Sequence, residues 1–199
     1  MTFESLKSFS WATNGDPREW ERALLQYAHL PALEHIKWHD RPIDPLVIDV
    51  YTPFFTRLPS TLRVLELDNF RVCDHVSPIG IFPTTLAFQE LGLLSCQREF
   101  IHELMGQLAE DKMFPHMRKL VLDLNLAGFA GHTVNPTVEA VANMLEKRMD
   151  GWIGNFCFEV LTVPNDEWSR PWGAAAEILR RLEPRLMLME DGEQFSLLD

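Results

Sequence analysis

Leu58-Pro59-Ser60-Thr61-Leu62-Arg63-Val64-Leu65-Glu66-Leu67 decides how this chain is read, because its closing phrase, Leu62-x-x-Leu65-x-Leu67, keeps returning. In loose form the same spacing occurs at Leu6-Phe9-Trp11, Leu33-Ile36-Trp38, Phe88-Leu91-Leu93, Met117-Leu120-Leu122 and Phe158-Leu161-Val163. Successive first anchors are 27, 29, 26, 29 and 41 residues apart. Four of these five steps fall within the ~20–29-residue period of leucine-rich repeats, and the last is stretched by an insertion. A fixed apolar phrase at near-constant period signals a solenoid, in which each unit buries its face only by stacking on its neighbours. Cys96 and Asn125 stand three residues beyond the last anchors of their units, where such repeats use Cys or Asn to bond backbone groups exposed as the chain leaves its strand.

Two further regularities punctuate the units. Asp16-Pro17, Asp44-Pro45, Ser77-Pro78, Asn135-Pro136 and Arg170-Pro171 follow the first anchors. Four of these pairs place a capping residue before a proline at the first helical position, where the missing N–H costs nothing. Apolar stripes at helical spacing come next: Trp20-Leu24-Tyr27 (with Glu19 placed for a capping box with Asp16), Ile101-Leu104-Met105-Leu108, Val138-Val141-Ala142-Leu145 and Trp172-Ala175-Ala176-Leu179-Leu182. Leu30-Pro31, Leu58-Pro59, Phe82-Pro83 and Phe114-Pro115 then return the chain to extended geometry ahead of the next strand. Pro53 is expected to break the helix of the second unit, and the third unit, through Ser77-Pro78 to Pro83, has room for only a turn or two. Leu186-Met187-Leu188-Met189 reads as a final strand.

The expected fold is therefore α/β: a short leucine-rich-repeat solenoid, with a parallel strand ladder on the concave face and helices and turns on the convex one. Residues 1–199 make a single domain of about six to seven irregular units. A hydrophobic content of 46% supplies ample core, yet no apolar stretch approaches the ~20 residues of a membrane span. Three scattered cysteines (Cys73, Cys96, Cys157) suggest neither a disulfide framework nor a zinc site. With no signal-peptide pattern, these features lead to the expectation of an intracellular protein, cytoplasmic or nuclear. A net charge of -11 argues against nucleic acid and anionic membranes and suits a basic partner surface. The first unit begins within six residues of Met1 and has no polar cap, so edge-to-edge self-association is also expected.

The phrases Leu58 to Leu67 and Phe114-Pro115-His116-Met117-Arg118-Lys119-Leu120-Val121-Leu122 resemble the degenerate leucine-rich repeats of fungal F-box-like proteins. That resemblance is one of style and covers nearly the whole chain, although the helical, Leu-Pro-rich F-box segment itself is missing ahead of the first unit. It implies a substrate-recruiting or scaffolding surface, with an adaptor role in ubiquitin ligation. It carries over no functional residues.

If the anchors point inward, the residues between them line the exposed sheet face. Three ladders result: Ser8-His35-Val64-Glu90-Lys119-Val160, Ser10-Lys37-Glu66-Gly92-Val121-Thr162 and Ala12-His39-Asp68-Leu94-Asp123-Pro164. Lys37 should lie beside Glu66, and His39 beside Asp68. The candidate patch for binding a protein partner of unknown identity comprises His35, Lys37, His39, Glu66, Asp68, Glu90, Lys119 and Asp123. Its plainer interpretation is a solvated face whose charge pairs are worth under ~1 kcal/mol each. No catalytic, cofactor or metal set is expected. His39, Asp40, Asp68, Asp74 and His75 lack tight ligand spacing, and His102-Glu103 lacks the second histidine of a zinc-protease motif because Gly106 stands there. Gly128-Phe129-Ala130-Gly131-His132 reads as a flexible loop, and Cys96 as a ladder residue rather than a nucleophile. Trp152 and Trp168 are candidate partner anchors, or packing for the insertion. The competing readings are a small enzyme with a rim site using His39 and Asp68 as an acid–base pair, and a fragment of a longer F-box-type protein.

Overall fold

A computed structural model describes residues 1–12, 18–39, 45–70, 78–83, 86–110, 113–123, 131–149, 155–161 and 175–196; for residues 45–50, 78, 131–136 and 195 it describes the backbone. Eight strands form one sheet whose spatial order is the chain order: β1 (Ser8–Ala12), β2 (His35–His39), β3 (Val64–Asp68), β4 (Glu90–Leu94), β5 (Lys119–Asp123), β6 (Phe156–Leu161), β7 (Leu186–Glu190) and β8 (Glu193–Phe195). The first seven run parallel, and β8 folds back antiparallel on β7. Between them lie α1 (Glu19–Tyr27), α2 (Pro45–Thr56), a 3-10 turn (Pro78–Ile81), α3 (Arg98–Ala109), α4 (Gly131–Met149) and α5 (Ala175–Leu182). The fold is mixed α/β with a mostly parallel sheet.

Anchor spacing accounts for the register of the first five strands. Ser8, His35, Val64, Glu90 and Lys119 are successive lateral partners. Ile36, Leu65, Leu91 and Leu120 therefore stack side by side, as do Trp38, Leu67, Leu93 and Leu122, and all eight are fully buried. The helices cover this face, and one continuous apolar cluster runs from Trp11 to Leu188. Parallel strands are usually covered on both faces and read as unbroken apolar runs. Here, among the described residues, the helices pack on the anchor face, and polar residues alternate with the anchors along the strands.

The backbone repeats a device between units. The carbonyl just before each of the first four strands accepts two consecutive amides of the next unit: Lys7 from Glu34 and His35 (2.8 and 3.0 Å), Glu34 from Arg63 and Val64 (2.7 and 3.1 Å), Arg63 from Gln89 and Glu90 (2.8 and 2.9 Å), Gln89 from Arg118 and Lys119 (2.7 and 2.9 Å). The prolines ahead of the strands sit in tight turns, closed by Leu33 N–H to Leu30 O (3.2 Å), Leu62 to Pro59 (3.1 Å) and Met117 to Phe114 (3.2 Å). Asn69 and Ser95, each immediately after its strand, turn the chain through positive φ.

Four expectations need correction. In the sixth unit Leu120 lies beside Phe158 and Leu122 beside Val160, so the core anchors are Phe158 and Val160, and Leu161 points to the opposite face. Alternation between covered and uncovered faces decides this: Phe156, Phe158 and Val160 are all fully buried. In α1 the stripe is rotated. Leu25 is fully buried, whereas Trp20 and Tyr27 are 59% and 62% exposed; among the described residues the helix packed against α1 is α2. Pro53 does not end α2. It sits on the exposed side, where water can satisfy the carbonyl left without a donor, while Tyr51, Phe54 and Phe55 hold the other side in the core. Finally, α4 starts at Gly131 rather than at Pro136, so Gly131 and His132 are helical.

The stripes of α3 and α4 are buried as expected, and in α5 Ala175 and Leu179 are buried with Ala176 and Leu182 half-buried. Asp16-Pro17, Ser77, Asn125, Gly128 to Ala130, Trp152, Val163, Trp168 and Trp172 lie outside the described residues. At the start of α1 it is Glu21, not Glu19, whose carboxylate accepts the backbone N–H of the capping residue, Arg18.

Two arginines tie α2 to α1 and α4 to α3 through the C-terminal carbonyls of the earlier helix. Arg57, just past α2, donates to Leu25 O (2.5 Å) and to Gln26 O at the end of α1. Arg148, at the end of α4, is fully buried and donates to Leu108 O (3.4 Å) at the end of α3 and to Phe114 O. A cation suits the negative end of a helix dipole. Phe114 itself has φ +52°, a conformation costly for a bulky residue, adopted beside Pro115 and clamped by that guanidinium. Arg148→Ala is expected to lower unfolding free energy in urea by about 3 kcal/mol, because two carbonyls lose a buried charged donor, against about 1 kcal/mol for the more exposed Arg57→Ala. Equal, small losses in both would contradict this account.

Candidate polar face of the sheet

Among the described residues, no helix covers the side of the sheet opposite the anchors. Every second strand residue stands there, and the lateral register brings the expected neighbours together: Lys37 beside Glu66 and His39 beside Asp68. Two ion-pair networks result. In the first, Glu66 Oε1 lies 3.5 Å from His35 Nε2, Glu66 Oε2 lies 3.9 Å from Lys37 Nζ, and Asp68 Oδ2 lies 3.4 Å from Lys37 Nζ and 3.1 Å from His39 Nδ1. In the second, Lys119 Nζ lies 3.4 Å from Glu90 Oε1 and 3.0 Å from Glu159 Oε2. Asp123 stands in the third row, half-buried, with Leu161 as its lateral partner on β6. Seven of the eight candidate residues thus sit in two linked clusters on one face, with Asp123 on the same face.

Glu159 is the residue that sequence reasoning missed. The three-residue slip in the sixth unit assigns Val160, Thr162 and Pro164 to the ladders, where the structure puts Cys157, Glu159 and Leu161. Glu159 is 8% exposed and is balanced by Lys119. Burial alone would lower the Lys119 pKa, but its contacts with Glu159 and Glu90 outweigh burial and hold the ammonium above its usual value. The alternation Phe156-x-Phe158-x-Val160 was the available signal.

Asp68 is the hub of the first network. Burial pushes its carboxyl up, but hydrogen bonds from His39 and Ser95, together with the charges of His39 and Lys37, pull it below the usual range. Cys96 lies beneath this rim. Its thiol donates to Leu67 O (3.2 Å), and burial pushes its pKa up to about 12, so it is a protonated structural donor. Cys157, on the uncovered face, is likewise raised by burial and lies 3.4 Å from Met189 Sδ. Met187 and Met189 continue these rows on β7. In α3, burial chiefly lowers the pKa of His102.

Pairing His39 with Asp68 orients an imidazole, which is one ingredient of general-base chemistry. Among the described residues no cluster of three His, Cys, Asp or Glu side chains could hold a metal ion. Asp40, Asp74, His75 and Cys73 lie outside those residues. No helix among them is long and apolar enough to cross a membrane. The chain matches no protein-family profile, no curated protein and no solved structure.

Because the folded state holds Asp68 below its unfolded pKa, the carboxylate contributes stability above pH ~4, and that contribution is lost as pH falls through the folded value. Unfolding midpoints followed from pH ~7 to ~2 should fall less steeply on acidification in Asp68→Asn than in the wild type. Parallel profiles would remove Asp68 from its position as hub.

Proposed function

We propose that the chain is a leucine-rich-repeat-type solenoid whose uncovered sheet face, on the concave side, docks a partner protein and performs no chemistry of its own. One observation carries this reading: polar and charged side chains from five neighbouring strands are gathered on a single face that no described helix covers. Solenoids use extended surfaces of this kind for recognition, and the equivalent backbone device at successive strands supports the repeat assignment. The resemblance to F-box-like repeats favours an intracellular adaptor that recruits substrates for ubiquitin ligation. Self-association along the outer edge of β1 is a further part of this proposal.

A second reading, a rim enzyme using His39 and Asp68, draws on their 3.1 Å contact. Both are separated by affinity capture with quantitative mass spectrometry, comparing the wild type with a Lys37→Glu, Glu66→Lys, Asp68→Lys variant and a Glu99→Lys, Glu139→Lys variant altered on α3 and α4. The face variant is expected to recover its partner at least about tenfold less well, roughly 1.4 kcal/mol of binding, while the helix variant recovers it normally. Equal recovery by all three would overturn the docking reading, and turnover abolished by His39→Ala with capture intact would favour the enzyme.

A further inference from the structure

We infer that Cys157, Met187 and Met189 form a binding site for a soft monovalent metal ion, Cu(I). The site stands on β6 and β7, on the face opposite the anchors, and does not depend on the docking role proposed above.

Lateral register assembles the three sulfur donors. Cys157 is the strand partner of Met187, and Glu159 that of Met189. Phe156, Phe158 and Val160 on β6, with Leu186 and Leu188 on β7, are buried in the core. Alternation therefore turns Cys157, Met187 and Met189 together onto the other face. There Cys157 Sγ lies 3.4 Å from Met189 Sδ. Met187 is 40% exposed, and among the described residues it is the exposed large apolar side chain that stands on a strand. Its unbranched chain lets its sulfur swing toward the thiol on the neighbouring strand.

The spacing suits a shared ion. Metal–sulfur bonds of about 2.3 Å hold two sulfurs of one tetrahedral or trigonal centre ~3.8–4.0 Å apart. The Cys157–Met189 pair reaches that separation by opening about 0.5 Å, well within the freedom of a methionine.

Donor chemistry selects the metal. Thiolate and thioether sulfurs are soft ligands that favour Cu(I), whereas Mg(II) and Ca(II) take oxygen. On binding, the ion replaces the thiol proton, which leaves to water; the two thioethers donate lone pairs, and no electron is transferred. The Cu(I)–thiolate unit is then neutral overall. Burial pushes the Cys157 thiol up, so this position disfavours charge, and a divalent ion would leave a positive one there. Beside the site, the Glu159 carboxylate is engaged by Lys119 at 3.0 Å, which leaves the sulfurs as its ligands.

Anaerobic titration of the full chain with Cu(I) against the chromogenic chelator bicinchoninate tests this. The chain should take up one ion with release of a proton, more tightly as pH rises. Met187→Leu with Met189→Leu nearly conserves volume and should weaken uptake at least about tenfold. Cys157→Ser should abolish it, whereas Cys73→Ser should bind as the wild type does. X-ray absorption of the loaded chain should show three sulfur neighbours. If Cys157→Ser misfolds, the leucine pair still decides. Wild-type affinity in the leucine pair would reduce the site to a simple thiol and overturn the inference. Loss of uptake in Cys73→Ser, competition by Zn(II) as strong as by Cu(I) itself, or no uptake at all would also overturn it.

Discussion

Leu65, Leu91 and Leu120 lie side by side beneath the helices, and none is kept dry by its own unit. A five-residue strand with one apolar face cannot shield that face alone. It is sealed only when the strands on either side arrive in register, and parallel pairing with equivalent residues abreast is what aligns the anchors. Everything else in the molecule follows from that lateral constraint. The carbonyl before each of the first four strands accepts two amides of the next unit, the prolines set a turn before the anchors, and Arg57 and Arg148 fasten one helix to the end of another.

The same constraint creates the polar face. Fixing Leu65 and Leu67 inward turns Val64, Glu66 and Asp68 outward, and the lateral register puts His35, Lys37 and His39 beside them. Neighbours of opposite charge on parallel strands then meet with no loop to organise them. Each exposed pair is worth little on its own, under about 1 kcal/mol. Their consequence is positional: carboxylates from β3 to β6 are held in lateral register on one face of the sheet.

Where anchors recur every 26 to 29 residues, the register was legible residue by residue, because period and side-chain direction together leave one solution. Legibility failed where that redundancy was lost. After the insertion, Phe158-x-x-Leu161-x-Val163 fits the loose motif, yet Phe156-x-Phe158-x-Val160 fits the strand, and Glu159 disappeared from the candidate face with the slip. Pro53 and Pro136 were read by local propensity, which burial of the rest of the helix overrides. The stripe of α1 was rotated because the exposure of Trp20 depends on which elements flank the helix, information no periodicity contains. Asp191-Gly192, both at positive φ, makes the hairpin that adds β8. That dipeptide is a recognisable turn signal.

The central claim is lateral, parallel stacking of equivalent residues, and backbone NOEs between strands measure it most directly. The account requires β5–β6 contacts that place Leu120 beside Phe158 and Val121 beside Glu159, continuing the β4–β5 pairing of Leu91 with Leu120. NOEs placing Leu120 beside Leu161, or an antiparallel pattern between any two of β1 to β7, would contradict it.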